Sequence, residues 1–213
     1  DASRAVENAL KAGFDSVNLD LMFGLPDQNL NGAMADLERA ISFGTDHLSW
    51  YQLTIEPRTE FHRRPPKLAS DDLRADMSDA GRELLEENGY SQYEVSAFGR
   101  DGSRCRHNLN YWRFGDYVGI GAGAHGKTWL DGKVVRTMRP RQPRLYLSGA
   151  PAEIVTVERD ELPVEFMMNA LRLTEGVETQ LFSQTTGLPY EIISDVVDRL
   201  VSWELMKPGR LQA

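Results

Sequence analysis

Apolar positions recur at helical spacing at the start of the chain, with Ala5, Val6, Ala9 and Leu10 on one face and Gly13 as a stop. Val17 to Met22 then reads as a short strand, broken by Gly24-Leu-Pro26. A second amphipathic run places Leu30, Met34, Leu37 and Ile41 on one face and ends at Gly44. His47 to Leu53 predicts the next strand, and the polar segment from Arg58 to Pro66 a loop. Ser70-Asp-Asp supplies capping chemistry for a third helix, whose Leu73, Met77, Ala80 and Leu84 face the core before Gly89. Gln92 to Val95 is strand-like. Helices alternating with strands predict parallel strands joined by helical crossovers, hence an α/β sheet or part of a barrel. Ligands in such folds sit at the carboxyl ends of the strands. On that rule Asp20, Thr54 and the segment after Val95 become candidates; the rival reading of Asp20 is a helix cap or a solvated loop acid.

The pattern changes further along. Trp129 to Arg136 predicts a hairpin around Asp131-Gly132, a pair suited to a type I′ turn. Arg139 to Pro143 reads as a linker, and Leu145 to Leu147 as a helical turn. Three helical patterns follow from Pro163, broken at Gly176 and Gly187, the last carrying the stripe Ile192, Ile193, Val196, Val197 and Leu200. Leu205 to Leu211 turns at Pro208-Gly209, and helices followed by a small hairpin resemble a winged helix. Charge opposes DNA binding there: from Asp160 onward nine acids face four bases, the wrong sign for phosphates.

The 213 residues, 41% hydrophobic and 26% charged, suit an ordinary soluble globular protein of one or two domains. The net charge of −8 argues against wholesale nucleic-acid binding. No apolar run approaches the ~20 residues that span a bilayer. One cysteine excludes an internal disulfide or a multi-cysteine metal site and suits a reducing, cytoplasmic compartment. The first residue is Asp1 rather than Met, and the expectation is that the native N-terminus lies upstream.

Against this acidic background Arg100 to Arg141 holds nine Lys and Arg and three acids, a local +6 that suggests an anionic partner. The same region contains Cys105-Arg-His-Asn-Leu-Asn-Tyr-Trp112 and the glycine-dense Gly119-Ile-Gly-Ala-Gly-Ala-His-Gly-Lys-Thr128. Polar donors beside large aromatic faces suit a flat ligand, and the glycines permit close approach to the backbone. Gly121 to Thr128 fits the phosphate-binding pattern G-x-x-x-x-G-K-[ST]. The residues after it favour a strand and turn, not the required helix, so the ATPase reading fails. Cys105 and His107 are too few for zinc, and Cys105 reads as a small hydrophobe. His107, flanked by Asn108, Tyr111 and Trp112, suits haem iron with aromatics stacked alongside; a buried His–Asn cluster is the rival.

These motifs carry a resemblance. Asn18-Leu-Asp-Leu-Met-Phe-Gly-Leu-Pro26, Tyr51-Gln-Leu-Thr-Ile-Glu-Pro57, Gln92-Tyr-Glu-Val-Ser96, His107-Asn-Leu-Asn-Tyr-Trp112 and Gly119-Ile-Gly-Ala-Gly-Ala-His125 resemble, in order and over nearly the whole chain, the radical S-adenosylmethionine proteins related to oxygen-independent coproporphyrinogen III oxidase. The H-N-x-x-Y-W motif further resembles the HemW-type branch of haem chaperones. The resemblance implies an α/β fold: the C-terminal part of a partial TIM-like (β/α) barrel over residues 1–145, and a small helical, winged-helix-like domain over 146–213. It implies haem contacts by His107, Asn108, Tyr111 and Trp112, and S-adenosylmethionine contacts by Asp20, Thr54 and His125. The family's [4Fe–4S] cluster sits on a C-x-x-x-C-x-x-C motif absent here, so no cluster ligand is expected in this chain and the fragment alone should be inactive. The implied function is binding haem for transfer to acceptor proteins, the arginines of the +6 stretch gripping its propionates. The alternative is oxidative decarboxylation of coproporphyrinogen III. Neither nucleic acid nor a transmembrane segment is implied, and peripheral membrane association is compatible with the reading.

Overall fold

The computed structural model describes residues 2–213, and the chain forms two compact units, 1–105 and 106–213. That division is drawn from compactness. The expected boundary at 145/146 is drawn from barrel membership, a different criterion.

The first unit runs α1 (Ala2–Lys11), β1 (Asn18–Phe23), α2 (Leu30–Ile41), β2 (His47–Gln52), α3 (Glu60–Arg63), α4 (Asp71–Glu87), β3 (Tyr90–Glu94) and β4 (Ala97–Arg100). Helix α2 is capped by the Asn29 side chain, which accepts from the Gly32 amide, and α4 by Ser70, which accepts from Leu73. Asp71 and Asp72 add favourable charge to the first turn of α4. The four strands lie in the order β1-β2-β4-β3. β1 and β2 are parallel, as the alternation predicts, with Asn18 opposite His47, Asp20 opposite Ser49 and Met22 opposite Tyr51.

The all-parallel expectation breaks at β4, a strand with no pattern of its own in the sequence. It lies antiparallel to both neighbours, between β2 and β3. The cause is local. Only Val95 and Ser96 separate β3 from β4, too short a connection for a crossover and the right length for a hairpin. Gly99 lies so close to the Ser103 carbonyl that a Cβ there would collide with it.

Strand alternation splits the β1–β2 surface into two faces. Leu19, Leu21, Phe23, Leu48 and Trp50 pack with Ala33, Leu37, Met77 and Leu85 beneath α2 and α4. Trp50 stacks on Phe23 at 4.7 Å, and Gly81 of α4 leaves room for the Trp50 indole where any Cβ would clash. The opposite face carries Asn18, Asp20, His47 and Ser49.

The second unit runs α5 (Arg106–Trp112), β5 (His125–Leu130), β6 (Lys133–Met138), α6 (Pro143–Leu147), β7 (Glu153–Thr156), α7 (Leu162–Ala170), β8 (Val177–Glu178), α8 (Thr179–Thr186), α9 (Glu191–Ser202) and β9 (Arg210–Leu211). β5 and β6 form the predicted hairpin, and Asp131 and Gly132 both take positive φ, 49° and 76°, as a type I′ turn requires. β7, an exposed strand without an alternating pattern to predict it, pairs antiparallel with β6. Phe166 meets Phe114 at 5.8 Å and Phe182 at 5.3 Å, edge-on, in the core of the unit. The expected terminal hairpin over Leu205 to Leu211 does not form: the chain turns at Pro208-Gly209, where the Lys207 amide donates to the Gln212 carbonyl, but β9 pairs antiparallel with β8, which lies before α8 and α9 in the chain.

Candidate functional site

The polar face of the first sheet is held by a continuous line of hydrogen bonds. Asn18 Nδ2 donates to Asp20 Oδ1 at 2.8 Å, and Asn18 Oδ1 lies 2.6 Å from His47 Nδ1. His47 Nε2 lies 2.7 Å from the Tyr93 hydroxyl, which accepts from the Cys105 amide at 3.2 Å. Ser49 Oγ also donates to Asn18 Oδ1, at 3.3 Å. His47 is 3% exposed and Tyr93 is buried, whereas Asp20 at the far end faces solvent. Burial pushes the His47 pKa below its usual value; the nearby carboxylates of Asp20 and Asp46 push back but do not win.

Asp20 stands in the middle of β1, not at a strand end, which corrects its expected place; β1 continues to Phe23. It borders a cavity of about 420 Å³ whose walls include Val6, Met22, Asp36, Arg39 and Phe43. Thr54 does lie just beyond a strand, two residues past β2, exposed, with its hydroxyl turned back to the Gln52 carbonyl. Asp20 is in register with Ser49, five residues before Thr54, so the two are not brought together. His125 opens β5 in the second unit and is exposed.

The H-N-x-x-Y-W residues form one short helix. On α5 the i,i+4 spacing stacks His107 with Tyr111 and Asn108 with Trp112, giving two adjacent rows on one side. The His107 and Tyr111 rings meet edge-on at 4.7 Å, and Tyr111 meets Tyr117 at 4.4 Å. Burial pushes the Tyr111 hydroxyl pKa up, with Tyr117 adding to it. His107 is exposed, and its imidazole has no hydrogen-bond partner among the described residues. Trp112 Nε1 is buried and without an acceptor among the described residues, while the Arg172 guanidinium covers the indole face at 4.3 Å. Asn110 ends the helix by donating to the Asp116 carbonyl, with Gly115 folded tightly against it.

The glycine-dense stretch is a loop up to Ala124, with β5 beginning at His125. Its close approaches are to its own chain. A Cβ on Gly119 would strike the His125 carbonyl, and one on Gly126 would stand 2.6 Å from Thr137 Oγ1. Lys127, the apparent phosphate-binding lysine, is 4% exposed, donates to the Phe114 carbonyl at 2.9 Å and sits 4.0 Å over the Phe114 ring. Burial lowers its pKa, against the pull of Asp116. Part of the +6 is thus committed to the fold: Lys127 is interior, Arg136 pairs with Glu165 at 2.6 Å, and Arg100 lies over Tyr90.

An exposed imidazole without a partner, beside aromatic rings and an unpaired indole N–H, fits a haem iron and its macrocycle. The cluster does not fit: among the described residues no three His, Cys, Asp or Glu are grouped to hold a metal, and Cys105 is the one cysteine. Asn18, His47 and Tyr93 were missing from the sequence-derived site. The signal for the first two was the alternation Asn18-x-Asp20 and His47-x-Ser49, polar residues two apart at the start of each strand, and Tyr93 carries no such signal.

Residues 157–200 match the HemN C-terminal domain family. The heme chaperone HemW of Escherichia coli is 46% identical over 99% of this chain and 59% of its own length, and that of Haemophilus influenzae 44% over 99% and 58%. The solved structure described as "Coproporphyrinogen III oxidase (HemN) from Escherichia coli is a Radical SAM enzyme" superposes on 94% of this chain and 50% of its own, with a TM-score of 0.70 at 17% identity, a likeness of fold. Along essentially its whole length the chain is similar to these HemW proteins, and it spans just under three fifths of theirs.

Proposed function

We propose that this chain carries the haem-binding part of a haem chaperone, with haem held on α5 for delivery to acceptor proteins. The observation that carries the reading is His107, a solvent-facing imidazole without a hydrogen-bond partner among the described residues, set edge-on to Tyr111. A neutral imidazole is a haem-iron ligand, and Tyr111 and Trp112 offer aromatic surface for the macrocycle. Asn108, half-buried one row over, supplies an amide at the same edge. The relatives' name, heme chaperone HemW, supports the same reading. Bound haem would supply an iron centre and two propionates. This chain's part is to coordinate, stack against and shield that group.

S-adenosylmethionine is assigned to Asp20 and Thr54, and by motif alone to His125. Likeness of fold to the oxidase carries no chemistry by itself, so decarboxylation remains the alternative. Haem titration of the intact protein, followed by its visible absorption, tests the proposal. His107→Ala should weaken binding by at least the ~10–100-fold that loss of an outer-shell partner costs at a metal site. Unchanged affinity in the variant would remove His107 from the site, and conversion of coproporphyrinogen III by the cluster-reconstituted protein would overturn the chaperone reading.

A further inference from the structure

With a neutral imidazole, the line from Cys105 to Asp20 has one consistent arrangement of protons. An exposed carboxylate only accepts, so the Asn18 group 2.8 Å from Asp20 is the amide NH2. That turns the Asn18 oxygen towards His47 and Ser49. An amide oxygen cannot donate, so the proton between Asn18 and His47, 2.6 Å apart, is on His47 Nδ1. In the neutral ring Nε2 is then an acceptor, and the Tyr93 hydroxyl at 2.7 Å donates to it. The same hydroxyl oxygen has a lone pair left for the Cys105 amide at 3.2 Å. Every donor in the line meets an acceptor, and reversing any member would set two donors or two lone pairs against each other.

We infer that His47 is a positioning residue: fixed as the Nδ1–H tautomer by Tyr93, it holds the Asn18 amide, which in turn aims the Asp20 carboxylate. Asp20 needs such a device. It is exposed on the polar face of β1 and bordered by the 420 Å³ cavity, and the only hydrogen bond described for its carboxylate comes from Asn18. A free aspartate rotates about two torsions. One clamped through Asn18 to a histidine only 3% exposed presents its second oxygen in a fixed direction. Three strands contribute, since Asn18 and Asp20 lie on β1, His47 and Ser49 on β2, and Tyr93 on β3, so the clamp is as rigid as the sheet. Burial of the ring favours the neutral form that the line requires.

Only the affinity arm of the test rests on the reading of Asp20 as an S-adenosylmethionine contact. Nitrogen NMR of the intact protein labelled with 15N-histidine reports the tautomer directly, and the expected result is a His47 ring protonated at Nδ1 with an unprotonated Nε2. A proton on Nε2, or rapid exchange between tautomers, overturns the inference. Substitution gives an independent readout, because His47→Asn carries an amide N–H near the Nδ1 position and His47→Gln one near Nε2. S-adenosylmethionine binding to the cluster-reconstituted intact protein should stay within about 3-fold of the parent in His47→Asn and weaken by about 10-fold in His47→Gln, the low end for loss of an outer-shell partner. Equal affinity in the two variants overturns the positioning role. Unchanged affinity in Asp20→Asn would instead remove Asp20 from the cofactor site while leaving the tautomer result to decide the clamp.

Discussion

His47 and His107 show two opposite uses of an imidazole. His47 is interior, with both nitrogens engaged by Asn18 and Tyr93. His107 stands in solvent with neither nitrogen satisfied among the described residues. A ring whose nitrogens are both occupied can orient a neighbour but cannot take a ligand. A ring whose nitrogens are both available can bind a metal but positions nothing. Burial and hydrogen bonding, rather than residue type, separate the two roles.

The contrast can be broken from the His47 side first. Leu48, beside it on β2, is fully buried in the apolar face of the same sheet. Leu48→Ala should cost about 2–5 kcal/mol in chemical denaturation of the unit, the usual range for a leucine cavity. A loss below 1 kcal/mol would mean that the platform under His47 is soft.

Next in size is pH. His47 has a folded pKa below its unfolded value near 6.5. The unfolded chain therefore binds the proton first. Stability from this group is complete above about pH 6.5 and falls as pH drops towards the folded pKa, by no more than one proton's worth, about 1.4 kcal/mol per pH unit. Asp20 and Asp46 face the ring and raise its pKa against the larger effect of burial, with the Tyr93 hydroxyl on its other side, so the acids narrow the window without reversing it. Denaturation midpoints of the parent and His47→Asn, compared between pH 5 and 8, should differ in slope only in the acidic half of that range. Parallel curves would contradict the assignment.

The smallest effect is expected on the other side of the comparison. His107→Ala removes an exposed side chain whose described contact is the edge-on meeting with Tyr111, so its stability change should stay within about 0.5 kcal/mol. A larger loss would place His107 among the structural histidines and weaken its role as a ligand.

What the sequence reveals follows how local each feature is. The Asp131-Gly132 turn and the Ser70 cap are written in adjacent residues, and both stand where the pattern puts them. The four H-N-x-x-Y-W positions share a seven-residue helix, so their association is also local. β4 escapes because a four-residue strand is too short to show a period, and β7 because all four of its residues are exposed. The His47 line is the least legible. Its hydrogen bonds join residues 29 and 46 positions apart, and only the register of three strands brings them together.

Lys127 has a consequence of a different kind. Its amine is enclosed against Phe114, whereas Lys133 opens β6 at the tip of the same hairpin and is exposed. An acylating reagent that needs a free amine will therefore modify Lys133 throughout and Lys127 only in molecules whose second unit has opened. Within one tryptic digest the two lysines form a matched pair, one recording how much reagent the protein has met and the other how often its interior has been uncovered.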